Sequence, residues 1–379
     1  MLIEIKGAGF VNKGAELMLH AILQKVGETF PDASFAMTPS RNQDYAKRAK
    51  LGLYQKVRLQ KYGVQWGTLG CLIPKKLRHR YGLVLDNEVN VVLDASGFLY
   101  SDQCFEYSSL AMASYVRTWR KRGTKIVLLP QAMGPFTQSN IRKALAFVVC
   151  NADLVFPRDD ISYKHVIDLV GERENVQKAP DFTNLVPGIM PPDPKRFRGR
   201  FCLVPNYRMI DMTSVEQSTR YPFFCAECIK YLVEQGHRPF ILIHEGDQDL
   251  RFAEKIVRES DEDIEIIKET DALKIKGILG LCAGVISSRY HGLISALSQG
   301  VPALGAGWSH KYEMLFKEYG IPDDCLSVSI EPENLKEQIQ RITSDNSRKE
   351  IIAKITKASA MHKERTEVMW QKVFSVIEK

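Results

Sequence analysis

Residues 283–320, AGVISSRYHGLISALSQGVPALGAGWSHKYEMLFKEYG, restrict the possible folds more tightly than any other stretch. The apolar pair Val285-Ile286 predicts a buried parallel strand that stops at Ser287-Ser288 and delivers Arg289 and His291 to its carboxyl end. Small residues from Gly292 to Gln299 open a helix, and Gly300-Val301-Pro302 turns the chain into a second short strand, Ala303–Leu304. That strand runs into Gly305-Ala306-Gly307, with His310 and Lys311 ahead of another helix. Open α/β sheets bind ligands at the carboxyl ends of their strands, where helix N-termini favour anions. Two successive strand ends carrying Arg, His, His and Lys therefore suit an anionic substrate with a titratable group at hand.

The same alternation of short apolar runs and amphipathic stretches covers the whole chain and predicts an α/β protein with mostly parallel sheet. Strands are expected at Leu2–Lys6, Ser34–Met37, Val89–Asp94, Lys125–Leu129 and Leu154–Phe156, with helices at Gly14–Thr29, Phe105–Arg122, Ser139–Cys150 and Ile161–Val170. Four prolines and a glycine between Val186 and Pro194 are too stiff and donor-poor to continue an element, so they mark a domain boundary. A second set follows: strands Phe201–Pro205, Phe240–His244, Ile264–Ile266, Gly284–Ser287 and Ala303–Leu304, and helices Pro222–Gln235, Gln248–Glu259 and Ala272–Leu281. The expected organisation is an N-terminal Rossmann-like domain (1–185), a linker (186–199), a C-terminal Rossmann-like domain (200–345) and a polar helical tail (346–379). The two domains would face a central cleft in the manner called GT-B, with the acceptor on the first and the anionic donor on the second.

The chain has 379 residues, 45% hydrophobic and 26% charged, as in an ordinary globular protein. No run approaches the roughly 18 apolar residues of a spanning helix, and MLIEIKGAGF reads as a first strand and not as a signal peptide. Cytoplasm is therefore the expected compartment, with room for peripheral contact at the inner face of the membrane. Eleven Lys and Arg stand against one acid, Asp44, between Arg41 and Arg80, which is about +10 of a formal net charge of +7. The remainder is thus slightly acidic, and the basic stretch would attract anions. Trp66 to Pro74 followed by Lys75-Lys76-Leu77-Arg78-His79-Arg80 mixes apolar and basic faces. It reads either as a membrane-surface element that holds the protein near lipid-linked sugar or as a solvated basic loop. No helix-turn-helix, zinc-finger or RNA-binding aromatic signature accompanies the charge, so nucleic acid is not an expected partner. The eight cysteines are scattered, and Cys225-Ala-Glu-Cys228 lies in a helical pattern without a second pair, which predicts core packing. No metal-ligand cluster stands out: Asp247-Gln-Asp249 sits between a strand and a helix, where N-capping explains it.

Three further loops fall at strand ends of the first domain. Gly7-Ala-Gly9-Phe-Val-Asn12-Lys-Gly14 follows the first strand and opens a helix whose amides could hold an anion or a sugar hydroxyl, or could simply make a βα turn. The spacing is not G-x-G-x-x-G and no acid ends the second strand, so neither a nicotinamide nor a flavin is expected. Asp94-Ala-Ser96-Gly97 and Pro130-Gln131-Ala-Met-Gly134-Pro135 end the next strands. Asp94 and Gln131 could each accept a hydrogen bond from an acceptor hydroxyl, or brace their loops.

The segment Arg289-x-His291-x-x-x-x-Ala296-Leu297-x-x-Gly300-Val301-Pro302, with Lys311 after it, resembles the polysaccharide pyruvyl transferase family. The resemblance extends to Asn12-Lys13-Gly14-Ala15-Glu16, where many members have N-x-G-D-x-A, with the acid here displaced by one position. It also covers the Gln131 to Pro135 loop, the Arg158-Asp159-x-x-Ser162 run, and Asp181 near the end of the first domain. It implies a GT-B-like fold and transfer of the enolpyruvyl group of phosphoenolpyruvate onto a sugar of a polysaccharide, glycan or lipid-linked precursor as a ketal. No cofactor is implied beyond that donor. Arg289 and His291 are then the expected catalytic pair, with His291 as the proton donor. Arg158, Lys311, His310, Asn12, Asp94, Gln131 and Asp181 are expected to bind substrate, and Asp181 could instead brace Arg158. The alternative on the same architecture is a nucleotide-sugar-dependent glycosyltransferase whose diphosphate sits at the same strand end. A catalytically silent anion- or glycan-binding protein that uses the basic stretch is a third possibility.

Overall fold

The structure, a computed structural model, describes residues 1–39, 44–58, 60–61 and 64–379, so Arg41 of the basic stretch lies outside the described residues. The chain divides into two compact units. The first comprises residues 1–11, 18–182 and 365–379, and the second residues 12–17 and 183–364.

In the first unit the strands are β1 (Leu2–Lys6), β2 (Ser34–Met37), β3 (Tyr54–Lys56), a small antiparallel hairpin of β4 (Gln60–Lys61) and β5 (Val64–Gln65), then β6 (Leu83–Val84), β7 (Val91–Asp94), β8 (Lys125–Gln131) and β9 (Leu154–Pro157). All but the hairpin form one parallel sheet in the order β6-β3-β2-β1-β7-β8-β9. The second unit contains β10 (Phe201–Val204), β11 (Phe240–Ile243), β12 (Glu265–Lys268), β13 (Gly284–Ser287), β14 (Ala303–Ala306) and β15 (Cys325–Leu326), in the order β12-β11-β10-β13-β14-β15. Every pairing in that sheet is parallel. Strand order reverses between β1 and β7 in one sheet and between β10 and β13 in the other. Each reversal opens a crevice at the carboxyl ends, as in doubly wound nucleotide-binding folds.

Why these runs are strands follows from burial. Phe201 to Val204 and Phe240 to Ile243 are buried at every position, as parallel strands covered on both faces by helices require. Each such side chain contributes about 1.5–3 kcal/mol when removed from water. Tyr221, Phe224, Cys225 and Cys228 pack into the same core, and burial pushes the Cys225 thiol up to about 12. The C-x-x-C pair is thus core filling. The expected helix beginning at Pro222 actually starts seven residues earlier, spanning Val215–Glu234 with Ser214 capping it through the amide of Gln217. The proline therefore lies inside this helix, where a sequence rule that places proline at the first turn misreads it. The polar C-terminal region forms the helices Pro332–Thr343 and Asp345–Glu378, and the second of these passes from the second unit to the first at Glu364/Arg365.

The basic stretch is less of a surface than its charge count suggests. Arg48, Lys56 and Arg78 are buried. Lys56 is held between Glu4 at 2.6 Å and Asp86 at 3.0 Å, and Arg78 donates to Glu88 at 2.9 Å. These cations serve the interior of the first unit.

Candidate functional site

The second unit builds its site at the β10–β13 reversal. Asn206, just past β10, donates to the Ser288 carbonyl at 2.8 Å, and the Tyr312 hydroxyl donates to the same oxygen at 2.9 Å. The Ser287 hydroxyl accepts from the Arg289 amide at 3.0 Å. These bonds pin the turn that leads from β13 into the helix Tyr290–Leu297. Arg289 is its N-cap residue but offers no side-chain cap. Its guanidinium turns instead to Asp249, at 2.6 and 2.5 Å, and to Glu245. Burial favours loss of the guanidinium proton, but Asp249 and Glu245 outweigh it and hold Arg289 above its ordinary range. One cation against two carboxylates leaves this cluster formally negative. Arg289 is thus ion-paired at the strand end, and Asp249 is its partner as well as an acceptor for the amides of Tyr207 and Glu245 at the start of the helix Gly246–Ser260.

His291 follows in the first turn of the helix Tyr290–Leu297, half-buried. The loop of residues 12–17 comes so close that a Cβ on Gly14 would lie 2.1 Å from the His291 Nδ1, so only glycine fits there. Asn12 shapes that loop by accepting from the amides of Gly14 at 2.9 Å and Ala15 at 3.1 Å, and its own amide donates to Glu245 at 3.2 Å. The displaced acid, Glu16, pairs with Lys13 at 2.6 Å. At the neighbouring strand end the helix His310–Glu318 also begins without a side-chain cap. Lys311 lies over the rings of Trp308, Tyr312 and Tyr290 at 4.9, 5.4 and 5.6 Å, an arrangement that holds an ammonium in place electrostatically. Gly305 and Gly307 make room for rings, since a Cβ would meet Phe316 at 2.4 Å and Tyr312 at 2.1 Å.

His244, just past β11, is a residue that the sequence reading passed over. It is 2% exposed, and neither ring nitrogen has a hydrogen-bond partner among the described residues. Burial, and then the charges of Arg289, His291 and Lys13, push its imidazole well below the usual histidine range, so it is neutral. A lone His between Ile243 and Glu245 at a strand end gives no sequence signal. Glu245 and Asn206 were missed for the same reason: both act through contacts some 40 to 80 residues away in sequence.

The remaining predicted residues lie on the first unit, at the ends of β7, β8 and β9. Asp94 is buried and accepts from the Tyr100 hydroxyl at 2.7 Å and the Ser96 amide at 3.0 Å. Arg158 and Asp181 form a buried pair at 2.9 Å. Asp159 caps the helix Asp160–Val170, accepting from the amide of Ser162 at 2.7 Å, and the Ser162 hydroxyl in turn accepts from the Met133 amide at 3.0 Å. Gln131 is wholly buried with its backbone carbonyl bound to the Arg158 amide, while both side-chain amide atoms lack a partner among the described residues. The nine expected residues therefore form two groups, one on each unit: Asn12, Arg289, His291, His310 and Lys311 on the second, and Asp94, Gln131, Arg158 and Asp181 on the first.

Two α/β units with doubly wound parallel sheets define a GT-B-like enzyme fold. Solved structures share it: UDP-GlcNAc 2-epimerase from Neisseria meningitidis bound to UDP-GlcNAc (8% identity, 99% of each chain covered, TM-score 0.60). MnaA of S. aureus with UDP is similar at 11% identity, covering 97% of this chain and 93% of that one, with a TM-score of 0.59. Anabaena HepE with UDP-glucose matches at 14% identity over 100% and 99%, with a TM-score of 0.57. No curated protein matches the chain. The model of the polysaccharide pyruvyl transferase family matches residues 12–310, and the chain belongs to that family of transferases.

Proposed function

We propose that the chain transfers the enolpyruvyl group of phosphoenolpyruvate onto a hexose of a polysaccharide, glycan or lipid-linked precursor, leaving a pyruvyl ketal. The observation that carries this reading is the pair of adjacent strand ends in the second unit, β13 and β14. Each opens into a helix without a side-chain cap, and the two supply His291, His310 and Lys311. The positive end of a helix suits a phosphate or a carboxylate. Phosphoenolpyruvate carries both.

Because Glu245 and Asp249 already occupy Arg289, its part is to orient the turn that carries His291. The attraction for the donor then rests on Lys311, the histidines and the helix amides. In the reaction a proton passes from the His291 imidazolium to the enol methylene, giving an oxocarbenium-like carbon. A sugar hydroxyl adds to that carbon and gives up its proton to the now neutral imidazole; the C–O bond to phosphate then breaks, a second hydroxyl adds to the same carbon, and its proton leaves with the phosphate. His244, neutral and buried beside the cluster, is suited to hydrogen-bond the donor. On the first unit, Gln131 is the group with hydrogen-bonding capacity to offer an acceptor hydroxyl, while Asp94, Arg158 and Asp181 hold its loops. The protein is expected to work in the cytoplasm.

The test is phosphate release from phosphoenolpyruvate in the presence of a panel of hexose-containing glycans, with the product examined by mass spectrometry. Acceptor-dependent phosphate release with an acid-labile pyruvyl adduct supports the assignment. Sugar transfer from a nucleotide sugar, without any turnover of phosphoenolpyruvate, overturns it.

A further inference from the structure

Residues 69–81 of the first unit show an arrangement that neither the fold nor the site requires. Leu72 is 78% exposed, and Leu69, Ile73 and Leu77 are exposed beside it in the same short 3-10 and α-helical stretch. Apolar side chains of this size normally fold inward, and single exposed ones need no explanation, but four within nine residues form a patch. The patch is not a loose loop. Arg78, which the sequence groups with the surface cations, is buried beneath it, donating to the Ile73 carbonyl at 2.5 Å and to Glu88 at 2.9 Å. Glu88 is locked in turn by the Leu85 amide at 2.7 Å. The scaffold therefore presents these leucines outward.

Exposed cations flank the apolar row: Lys75, Lys76 and Arg80. Beyond them lies a groove of about 410 Å³ between the helix Tyr45–Lys50 and the end of the helix Lys75–Arg80, with the exposed rings of Tyr45 and Tyr81 on it. Apolar residues to enter hydrocarbon, tyrosines for the headgroup level and lysines for anionic headgroups are the composition of an interfacial element. Lys75 lies 3.8 Å from Glu88, which Arg78 also holds at 2.9 Å. A second copy meeting this patch by two-fold symmetry would set Lys75, Lys76 and Arg80 against their own kind, which costs energy. We infer that residues 69–81, with Tyr45, dock the protein peripherally on a bilayer surface rich in anionic lipid. The geometry stands whether or not phosphoenolpyruvate is the donor.

The test is co-sedimentation of the full chain with phosphatidylcholine vesicles, with and without phosphatidylglycerol. Binding is expected only with the anionic lipid, and it should weaken roughly tenfold or more when salt shortens the Debye length from about 10 Å to about 3 Å. The pair Leu72→Ser and Leu77→Ser, and separately the triple reversal Lys75→Glu, Lys76→Glu and Arg80→Glu, should each lose most of the bound fraction. Melting temperature and turnover of a water-soluble acceptor should stay at wild-type values. Wild-type protein that ignores phosphatidylglycerol vesicles, or a Leu72→Ser, Leu77→Ser variant that binds them undiminished, overturns the inference. So does a sedimentation-velocity result in which those substitutions split a dimer, since the patch would then be a contact between copies.

Discussion

The strand ends of the two units carry similar residue types and use them differently. On the first unit Arg158 is answered by Asp181, Asp94 by Tyr100 and Ser96, and the helix after β9 by Asp159. On the second unit the helices after β13 and β14 have no side-chain caps, and the His244 imidazole has no partner among the described residues. A closed network fixes geometry, whereas an unfinished one keeps donors and acceptors in reserve for a ligand. Each side has exceptions: on the first unit the Gln131 amide is open and the helices Glu106–Lys121 and Ser139–Asn151 also begin without side-chain caps, and on the second Arg289 is closed. Buried polar groups are rarely left unmatched without a reason. The exceptions therefore mark where the contrast can be broken.

The largest effect is expected at His291. His291→Ala should lower turnover by about 10²–10⁴-fold, the usual loss for a general acid, with an unchanged melting temperature. Turnover within a few-fold of wild type would remove it from the chemistry. Arg289→Ala should act mainly on stability, because it strands Asp249 and Glu245. Breaking such a buried pair costs about 3–5 kcal/mol, against about 1 kcal/mol for the helix cap removed by Asp159→Ala. Chemical denaturation of both variants ranks them, and equal costs would erase the difference drawn between the two roles.

His244 gives a smaller effect with a definite sign. Its folded-state affinity for protons is depressed, so the unfolded chain takes up the extra proton. Stability should therefore be full above the unfolded value of about 6.5 and be lost as pH falls below it. Asp324, which burial raises to about 6, is protonated more readily when folded and works in the opposite sense between about 4 and 6. Comparing wild type with His244→Gln isolates the histidine: the variant's melting temperature should fall less from pH 7.5 to pH 6. Identical slopes would mean that His244 is not the buried neutral imidazole described here. The smallest effect is Gln131→Leu, which removes an unmatched buried amide and should leave stability within about 1 kcal/mol of wild type or raise it. Reduced turnover at unchanged stability would place the amide on substrate, and unimpaired turnover would assign it to packing.

Much of the frame is legible in the sequence. The strands Leu2–Lys6, Ser34–Met37 and Gly284–Ser287 and the helix Ala272–Leu281 have the bounds expected from apolar runs. The short strands β3 and β6 are not, because two- or three-residue strands with Lys56 among them look like loop. At the site, the local motif Arg289-x-His291 is readable, as is the Arg158-Asp159-x-x-Ser162 run. What is not readable is the pairing of Arg289 with Glu245 and Asp249, because residues 40 and more apart meet only when β11 lies beside β10 and β10 beside β13. A charge counted from sequence as available to an anion is thus paired with carboxylates inside the protein. Arg48, Lys56 and Arg78 in the basic stretch are likewise buried.

The central claim is that the unfinished strand ends of the second unit hold phosphoenolpyruvate. Titration calorimetry of the full chain with phosphoenolpyruvate and, separately, with UDP, GDP and CMP tests it most directly, using wild type and Lys311→Met. Saturable phosphoenolpyruvate binding, weakened at least about tenfold in Lys311→Met and absent for the nucleotides, is the predicted result. Nucleotide binding without phosphoenolpyruvate binding would contradict the account and assign the site to a nucleotide-sugar donor.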